Sequence, residues 1–485
     1  MARLARAGGA RLRSHAWFVA TAAVCLAAFV GLVTGGTGAL AYPESFGDFY
    51  DYQAASLLHG HLDVPAVAIS GEAFVVNGRF YGYFGPTPAL LRLPFVAFGW
   101  QWQRLARPAM VAYYLASLVA AWALLRRARR QFGGPGALPS PLATVLFTLA
   151  SGLGSSLLFL GSRAYTYHEA ILCGAALALW SAWFALTWSA RPGSRAWLGA
   201  LACAALAVQA RAPAGLFALA LLGATAVAVG RRPEHRRLAA AVGVACVAGA
   251  LSVNAVGYLK FGVFDGSPFE YSVQYDATRL ARFDNRKFHL LNVTYTADAY
   301  LLRPHLQARQ HFPWLRIDRL PRGTHPRARM DHLEPTAGLP YTMSALVGLA
   351  VFGAAVSLRR RSAPRRDLVL LGLGFAPQAA AMLCTVVVSQ RYTGDFVPFL
   401  IAAGATGLAA VDGAPTGRRR TGLAVLLVLA AWSVVANMSL ALWYQGEGVW
   451  GVPDDVKQNY HRLQQRIDAW CLPAPPGVQP AGQGR

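Results

Sequence analysis

Long uncharged apolar runs recur along this chain of 485 residues, and they fix its fold class before any motif is read. A helix of roughly 18–22 residues, rising about 1.5 Å per residue, crosses the ~30 Å hydrocarbon core of a bilayer. Within lipid, a helix satisfies its own backbone hydrogen bonds, which an open strand or loop cannot do. Eleven runs read as spans: 17–40, 108–125, 139–161, 169–189, 196–210, 213–229, 238–258, 341–357, 367–388, 396–411 and 421–443. The expected fold class is an all-α polytopic membrane protein with about 11 transmembrane helices. Composition agrees: 55% of residues are hydrophobic and 14% charged, against about 25% charged in soluble domains.

The net charge of +23 invites a nucleic-acid reading. Its distribution argues otherwise, because the basic residues fall in short clusters between apolar runs, where they act as orientation signals. With the N-terminus in the cytoplasm, the clusters at the N-terminal tail, 126–130, 191–195, 231–237, 359–366 and 418–420 all fall inside. They hold 22 of the 45 lysines and arginines, and only Glu234, Asp367 and Asp412 are acids nearby. The short outer loops keep only Arg163, Arg211 and Arg391. This parity predicts a multi-pass protein of the plasma (inner) membrane with an extracytoplasmic C-terminus. The first run, lacking a small-residue cleavage site, reads as a retained span rather than a signal peptide. Segment 88–102 is apolar but short and carries Arg92 in its middle, so it reads as a re-entrant or interfacial helix on the outer face, with Trp100 and Trp102 at headgroup level. Five of the six cysteines lie in apolar runs, and no disulfide or metal spacing is present.

The resulting divisions are a cytoplasmic tail (1–16), a transmembrane core (17–258) containing the first outer loop (41–107), a large extracytoplasmic loop (259–340), C-terminal spans (341–443) and an outer tail (444–485). In the first loop, the spacing of Phe46, Phe49, Tyr50, Leu57 and Leu58 predicts an amphipathic helix over Asp48–His59, ended by Gly60. Asn77-Gly78 between alternating apolar residues predicts a β-hairpin. The large loop reads as a small ordered domain, and the tail as a helix over 453–470 followed by disorder from Pro473.

Candidate site residues gather in these outer loops. Asp48 and Asp51 share a helix face at the membrane boundary, where a carboxylate with a raised pKa can serve as a base; the structural alternative is a solvated or capping acid. His168 and Glu169, at the mouth of the next span, suit a divalent metal (Mg or Mn) or donor orientation; the alternative is a glutamate favoured by a helix N-terminus. Arg211, between two short spans, lies where a lipid phosphate would sit and is suited to bidentate contact; the alternative is snorkelling. Arg391, Tyr392 and Asp395 stand together, with Arg391 and Asp395 forming either a structural ion pair or a ligand site.

The opening GDFYDYQAASLLHGHLDVP, the segment YFGPTPALLRLPFVAFG and a weaker echo in RYTGDFVPFL resemble GT-C superfamily membrane glycosyltransferases. More narrowly, they resemble the bacterial protein-mannosyltransferase-like (family 39) and lipid A aminoarabinose transferase group, over roughly residues 15–260. The resemblance implies a sugar moved from a polyprenyl-phosphate donor to an acceptor glycan, lipid or protein on the outer face, with inversion and no nucleic-acid partner. Asp48 matches the first-loop catalytic acid, His168 and Glu169 the acidic second-loop position, and Arg211 a basic residue near the donor phosphate. Lys260 and Arg391 would assist Arg211. The chain departs from the pattern where Phe49 and Tyr50 separate Asp48 from Asp51, which leaves open which of the two is the base. The rival readings are a transporter and a non-catalytic membrane scaffold. Nearly charge-free spans with polar groups gathered at one face disfavour a transporter.

Overall fold

The computed structural model describes residues 2–44, 46–100, 103–318, 325–359, 363–447 and 452–472, with side chains from Ser14 onward. Trp102 and the segment from Pro473 lie outside these residues. The chain is an all-α polytopic membrane protein. Among the described residues, eight helices are long and apolar enough to cross a bilayer: Ser14–Val33, Ala106–Gly133, Thr166–Ala190, Ala212–Gly230, Pro233–Phe261, Ala363–Cys384, Gln390–Asp412 and Thr416–Gly446.

The other three expected spans are shorter helices, Pro141–Gly152, Ala196–Ala210 and Ser344–Leu358. The run 139–161 breaks after Gly152, where Ser155 starts a new turn by accepting from the Leu157 amide. Ala196–Ala210 stops because the next helix begins almost at once: Arg211 alone, in extended conformation, joins it to Ala212–Gly230, with Pro213 in that helix's first turn.

Apolar burial gives membrane helices little reason to associate, since lipid tails are as apolar as leucine; close packing of small residues supplies the attraction instead. Gln390–Asp412 is the central helix, almost wholly enclosed by protein, whereas Pro233–Phe261 lies at the periphery. Ser344–Leu358 crosses the central helix where Gly353 and Gly407 meet; a Cβ on either would run into the other helix's backbone.

The helix ends sort into two faces. At one, Asp367 receives Arg127 and Gln131, while Asp412 receives Arg129, Arg419 and the backbone and hydroxyl of Ser140. The basic clusters 126–130 and 418–420 therefore converge at this end, as the alternation of spans requires. At the other end, Gln445 donates to the carbonyls of Leu32 and Ser162, joining helix ends far apart in sequence.

Segment 41–107 forms at this second end. Its helix runs Phe49–Leu58, and Gly60 (φ +77°) takes the left-handed conformation that releases the chain. Strands Phe74–Val76 and Arg79–Tyr81 pair around Asn77 (φ +51°) and Gly78 (φ +75°). Both central residues at positive φ make this the turn type that matches strand twist. Most of segment 88–102 belongs to the helix Thr87–Ala97, which packs on Phe49–Leu58.

The large loop is ordered by pairing rather than by a core of its own. Leu306–Ala308 pairs with Leu315–Ile317, and His332–Leu333 runs parallel to Val387–Val388 just before the central helix. Asn292 donates to the carbonyls of Arg329 and Thr385 and accepts from the Arg329 amide. The helix Asp454–Cys471 closes over this region, where Asp468 accepts from the Phe312 amide.

Candidate active site

Two charged assemblies occupy the end that holds segment 41–107 and the large loop. The first is sealed. Arg92, from the middle of Thr87–Ala97, donates through Nη1 to Asp51 (2.6 Å) and through Nη2 to both oxygens of Glu169 (2.6 and 2.5 Å). All three side chains are at most 2% exposed. The second oxygen of Asp51 faces the Leu105 amide at 3.4 Å. Burial pushes the Asp51 carboxyl up, and the Arg92 charge and the Leu105 amide pull it back.

Asp48 stands one turn away, at the N-cap of the same helix, and is only half-buried. Its side chain does not cap the helix. Burial, with help from the neighbouring Asp51 charge, raises its carboxyl to about 6, opposed by its own amide and by Arg92. Of the two first-loop acids, Asp51 is committed to a partner and Asp48 is not.

The second assembly lines an open cavity of about 760 Å³. Its walls carry Arg163, Arg211, Arg279, Arg282, Lys287 and Arg391 against Glu72, Asp331 and Glu334, with Tyr83, Tyr165, Tyr167, Tyr275, Tyr392 and Tyr444 between them. Arg211 grips Asp395 in a fork, Nε to Oδ1 at 3.0 Å and Nη2 to Oδ2 at 2.7 Å, which leaves Nη1 outside the pair. Arg391 pairs with Glu334 at 2.8 Å. The Tyr392 ring lies 4.6 Å from the Arg211 guanidinium and 5.4 Å from that of Arg391, within cation–π range of both. Of the two readings open for Arg391 and Asp395, the ion pair does not form: a helical turn at 390–392 sends Arg391 toward the large loop, and Asp395 turns to Arg211.

Arg163 stacks on Tyr165 at 4.0 Å, and Tyr167 donates to Glu72 at 2.5 Å. The wall from the large loop repeats the fork: Arg279 holds Asp331 at 2.7 and 2.9 Å, and Tyr275 donates to the same carboxylate at 2.8 Å. Burial works against the charge of Glu334, but Arg391, with His332 and Ser389, holds it down to about 2. Burial likewise disfavours the Arg163 guanidinium.

Of the residues singled out in the sequence, Arg211, Arg391 and Tyr392 line this cavity. Asp395 lies directly behind it on Arg211, while Asp51 and Glu169 belong to the sealed assembly beside Asp48. His168 is fully buried, its Nδ1 against the Leu160 carbonyl at 3.1 Å and its ring among Phe159, Tyr165 and Tyr444. It does not share a ligand with Glu169, whose two oxygens are both on Arg92. Among the described residues, no three His, Cys, Asp or Glu side chains gather as a metal site. Lys260 is buried and donates to the carbonyls of Gly82 and Phe84, tying the segment that follows the hairpin to the bundle.

Arg92, Glu72, Arg279, Asp331 and Glu334 were not among the sequence candidates. Arg92 had a signal, a lone cation inside an apolar segment that must find a carboxylate. The others sit in loops with no local pattern to mark them.

No protein-family model and no curated protein matches this chain. Among solved structures it is similar to ArnT from Cupriavidus metallidurans, crystallised with undecaprenyl phosphate. The match covers 93% of this chain and 70% of that one, at 15% identity and a TM-score of 0.48. At this identity and TM-score the likeness carries no argument, and the site is read from this chain's own residues.

Proposed function

We propose that this chain is a GT-C-type membrane glycosyltransferase that takes a sugar from a polyprenyl-phosphate donor and transfers it to an acceptor on the extracytoplasmic face. The observation that carries this reading is the outer-end cavity, with its guanidiniums interleaved with tyrosines. Arginine forks suit the oxygens of a phosphate, and aromatic faces suit the C–H face of a sugar ring. The basic loops at the opposite end support a cytoplasmic assignment for that end, which sets the cavity on the outer side. The domain divisions read from the sequence follow from the same orientation.

In this mechanism Asp48 removes the proton from the acceptor hydroxyl, whose oxygen attacks the anomeric carbon opposite the phosphate. The bond between that carbon and the phosphate oxygen breaks, and the configuration inverts. The negative charge returning to the polyprenyl phosphate is held by Arg211, through the nitrogen left outside its pair with Asp395, and by Arg391. Asp48 is favoured over Asp51 as the base because its carboxyl is uncommitted and titrates near 6, close to the range where a base is effective. Asp51 and Glu169 hold Arg92 and so fix the helix that carries Asp48. His168 and Lys260 position the surrounding backbone instead of touching the donor.

The test is transfer from a radiolabelled polyprenyl-phosphate sugar in membranes containing the protein. Wild type should transfer label to an acceptor, and Asp48→Asn should not. Transfer by Asp48→Asn at the wild-type rate would remove the assigned base; binding of the donor without transfer by wild type, over a panel of acceptors, would favour a non-catalytic membrane protein.

A further inference from the structure

The end of the bundle opposite the cavity carries a feature that transfer does not use. The last turns of Ala106–Gly133 and Thr166–Ala190 enclose a groove of about 540 Å³. Arg126, Arg127, Arg130 and Arg191 stand on its rim, while Ala123 and Trp183 form an apolar floor about one and two turns deeper toward the membrane interior. Among the described residues, few acids lie at this groove. Arg127 is held by Asp367 and by the Leu186 carbonyl at 2.6 Å, and Gln131 also occupies Asp367, which is 1% exposed. Arg126 lies over Trp122 at 4.5 Å. Arg130 and Arg191 are exposed, and among the described residues neither has a carboxylate partner.

We propose that this groove is a binding site for an anionic glycerophospholipid. The helix ends set it at headgroup depth whichever way the protein faces, so the inference does not depend on the transferase reading. The excess of fixed positive charge selects an anionic over a zwitterionic headgroup, because a zwitterion brings no net charge to offset it. Guanidiniums make paired hydrogen bonds to phosphate oxygens, and the floor of Ala123 and Trp183 continues from the phosphate level into the hydrocarbon, where an acyl chain must run. A free phosphate would use the rim and leave the floor without a partner.

The test uses the full chain purified in a zwitterionic detergent and titrated with phosphatidylglycerol, phosphatidylcholine or glycerol phosphate, read by native mass spectrometry and thermal melting. Phosphatidylglycerol should remain bound and raise the melting temperature, and phosphatidylcholine should do neither. The double substitution Arg130→Gln with Arg191→Gln removes only exposed side chains and should weaken phosphatidylglycerol binding by roughly tenfold or more. Arg231→Gln with Arg232→Gln, an equally exposed pair at the start of another helix, should leave it unchanged. Equal binding of phosphatidylcholine, full competition by glycerol phosphate, or equal loss in the two double variants would each overturn the proposal.

Discussion

The two charged assemblies at the cavity end of the bundle are built from the same groups to opposite effect. In one, Arg92 is consumed by Asp51 and Glu169, all three shut off from water. In the other, Arg211, Arg391 and Arg279 are each matched to one carboxylate, yet all face a cavity wide enough for a ligand. A buried pair whose desolvation is already offset by its partner gains little from further contacts and loses much when one member is removed. A paired guanidinium at a cavity wall keeps nitrogens free for an incoming anion, and its carboxylate aims it. The sealed group should therefore answer to stability measurements and the open group to ligand and rate measurements. Asp48 sits beside the sealed group, on the helix that carries Asp51, and is not among the residues that line the cavity, but like the open group it is partly exposed and its carboxyl is uncommitted.

The sharpest break between the two is Arg92→Met. It would leave two carboxylates buried without a counter-charge, which costs about 3–5 kcal/mol. Unfolding in detergent should show a loss of this size, and Arg92→Lys should recover only part of it, since an ammonium cannot reproduce the fork that spans Asp51 and Glu169. A loss below ~1 kcal/mol would mean that water reaches the group and that it is not sealed. Asp48→Asn should do the reverse: folding is kept, and transfer falls by about 10²–10⁴-fold, the usual range for loss of a general base. Because the carboxyl titrates near 6, the wild-type rate should fall about tenfold per pH unit below that value and level off above it. A rate profile flat from pH 5 to 8 would contradict the assignment.

How much of this contrast could be read from residues alone depended on whether the signal was local. Asn77-Gly78 announced its hairpin because only a few residue types accept positive φ at both central turn positions. The helix at Phe49–Leu58 was legible from apolar spacing, and the run of spans from their length. Arg92 was visible as an anomaly, but its two carboxylates, 41 and 77 residues away, were not. Arg211 and Asp395 were each picked out, yet their pairing across 184 residues follows from which helices touch, and nothing in either segment encodes that. Glu334 and Asp331 are the extreme case. They lie in a loop shaped by strand pairing and by Asn292, without periodicity, so their place on the cavity wall emerges only from the folded chain.

Within the open group, Arg211→Lys keeps the charge but not the fork to Asp395. Transfer should fall roughly tenfold, mostly as a rise in KM if the donor phosphate is bound equally before and during reaction, whereas a fall confined to kcat would assign Arg211 to the leaving charge alone.

The smallest effect concerns pH, and it has opposite signs for two acids near the same surface. Glu334 is held down to about 2 in the folded protein by Arg391, so its contribution to stability is present above its ordinary value of 4.5 and is lost as pH falls toward 2. Asp48 is raised, so its term favours the folded state below its ordinary value of 3.8 and is lost as pH rises through about 6. Glu334→Gln should thus cost on the order of 1–2 kcal/mol at pH 7, a penalty that shrinks toward zero as the wild type is acidified below 4.5. Asp48→Asn should be neutral or slightly stabilising at pH 7 and indistinguishable from wild type at pH 4. Melting curves of both variants across pH 3–7 check the signs together. A Glu334→Gln penalty that stayed constant with pH would mean that the carboxylate's charge does not hold Arg391 at the cavity wall, and that the shape of the loop does so instead.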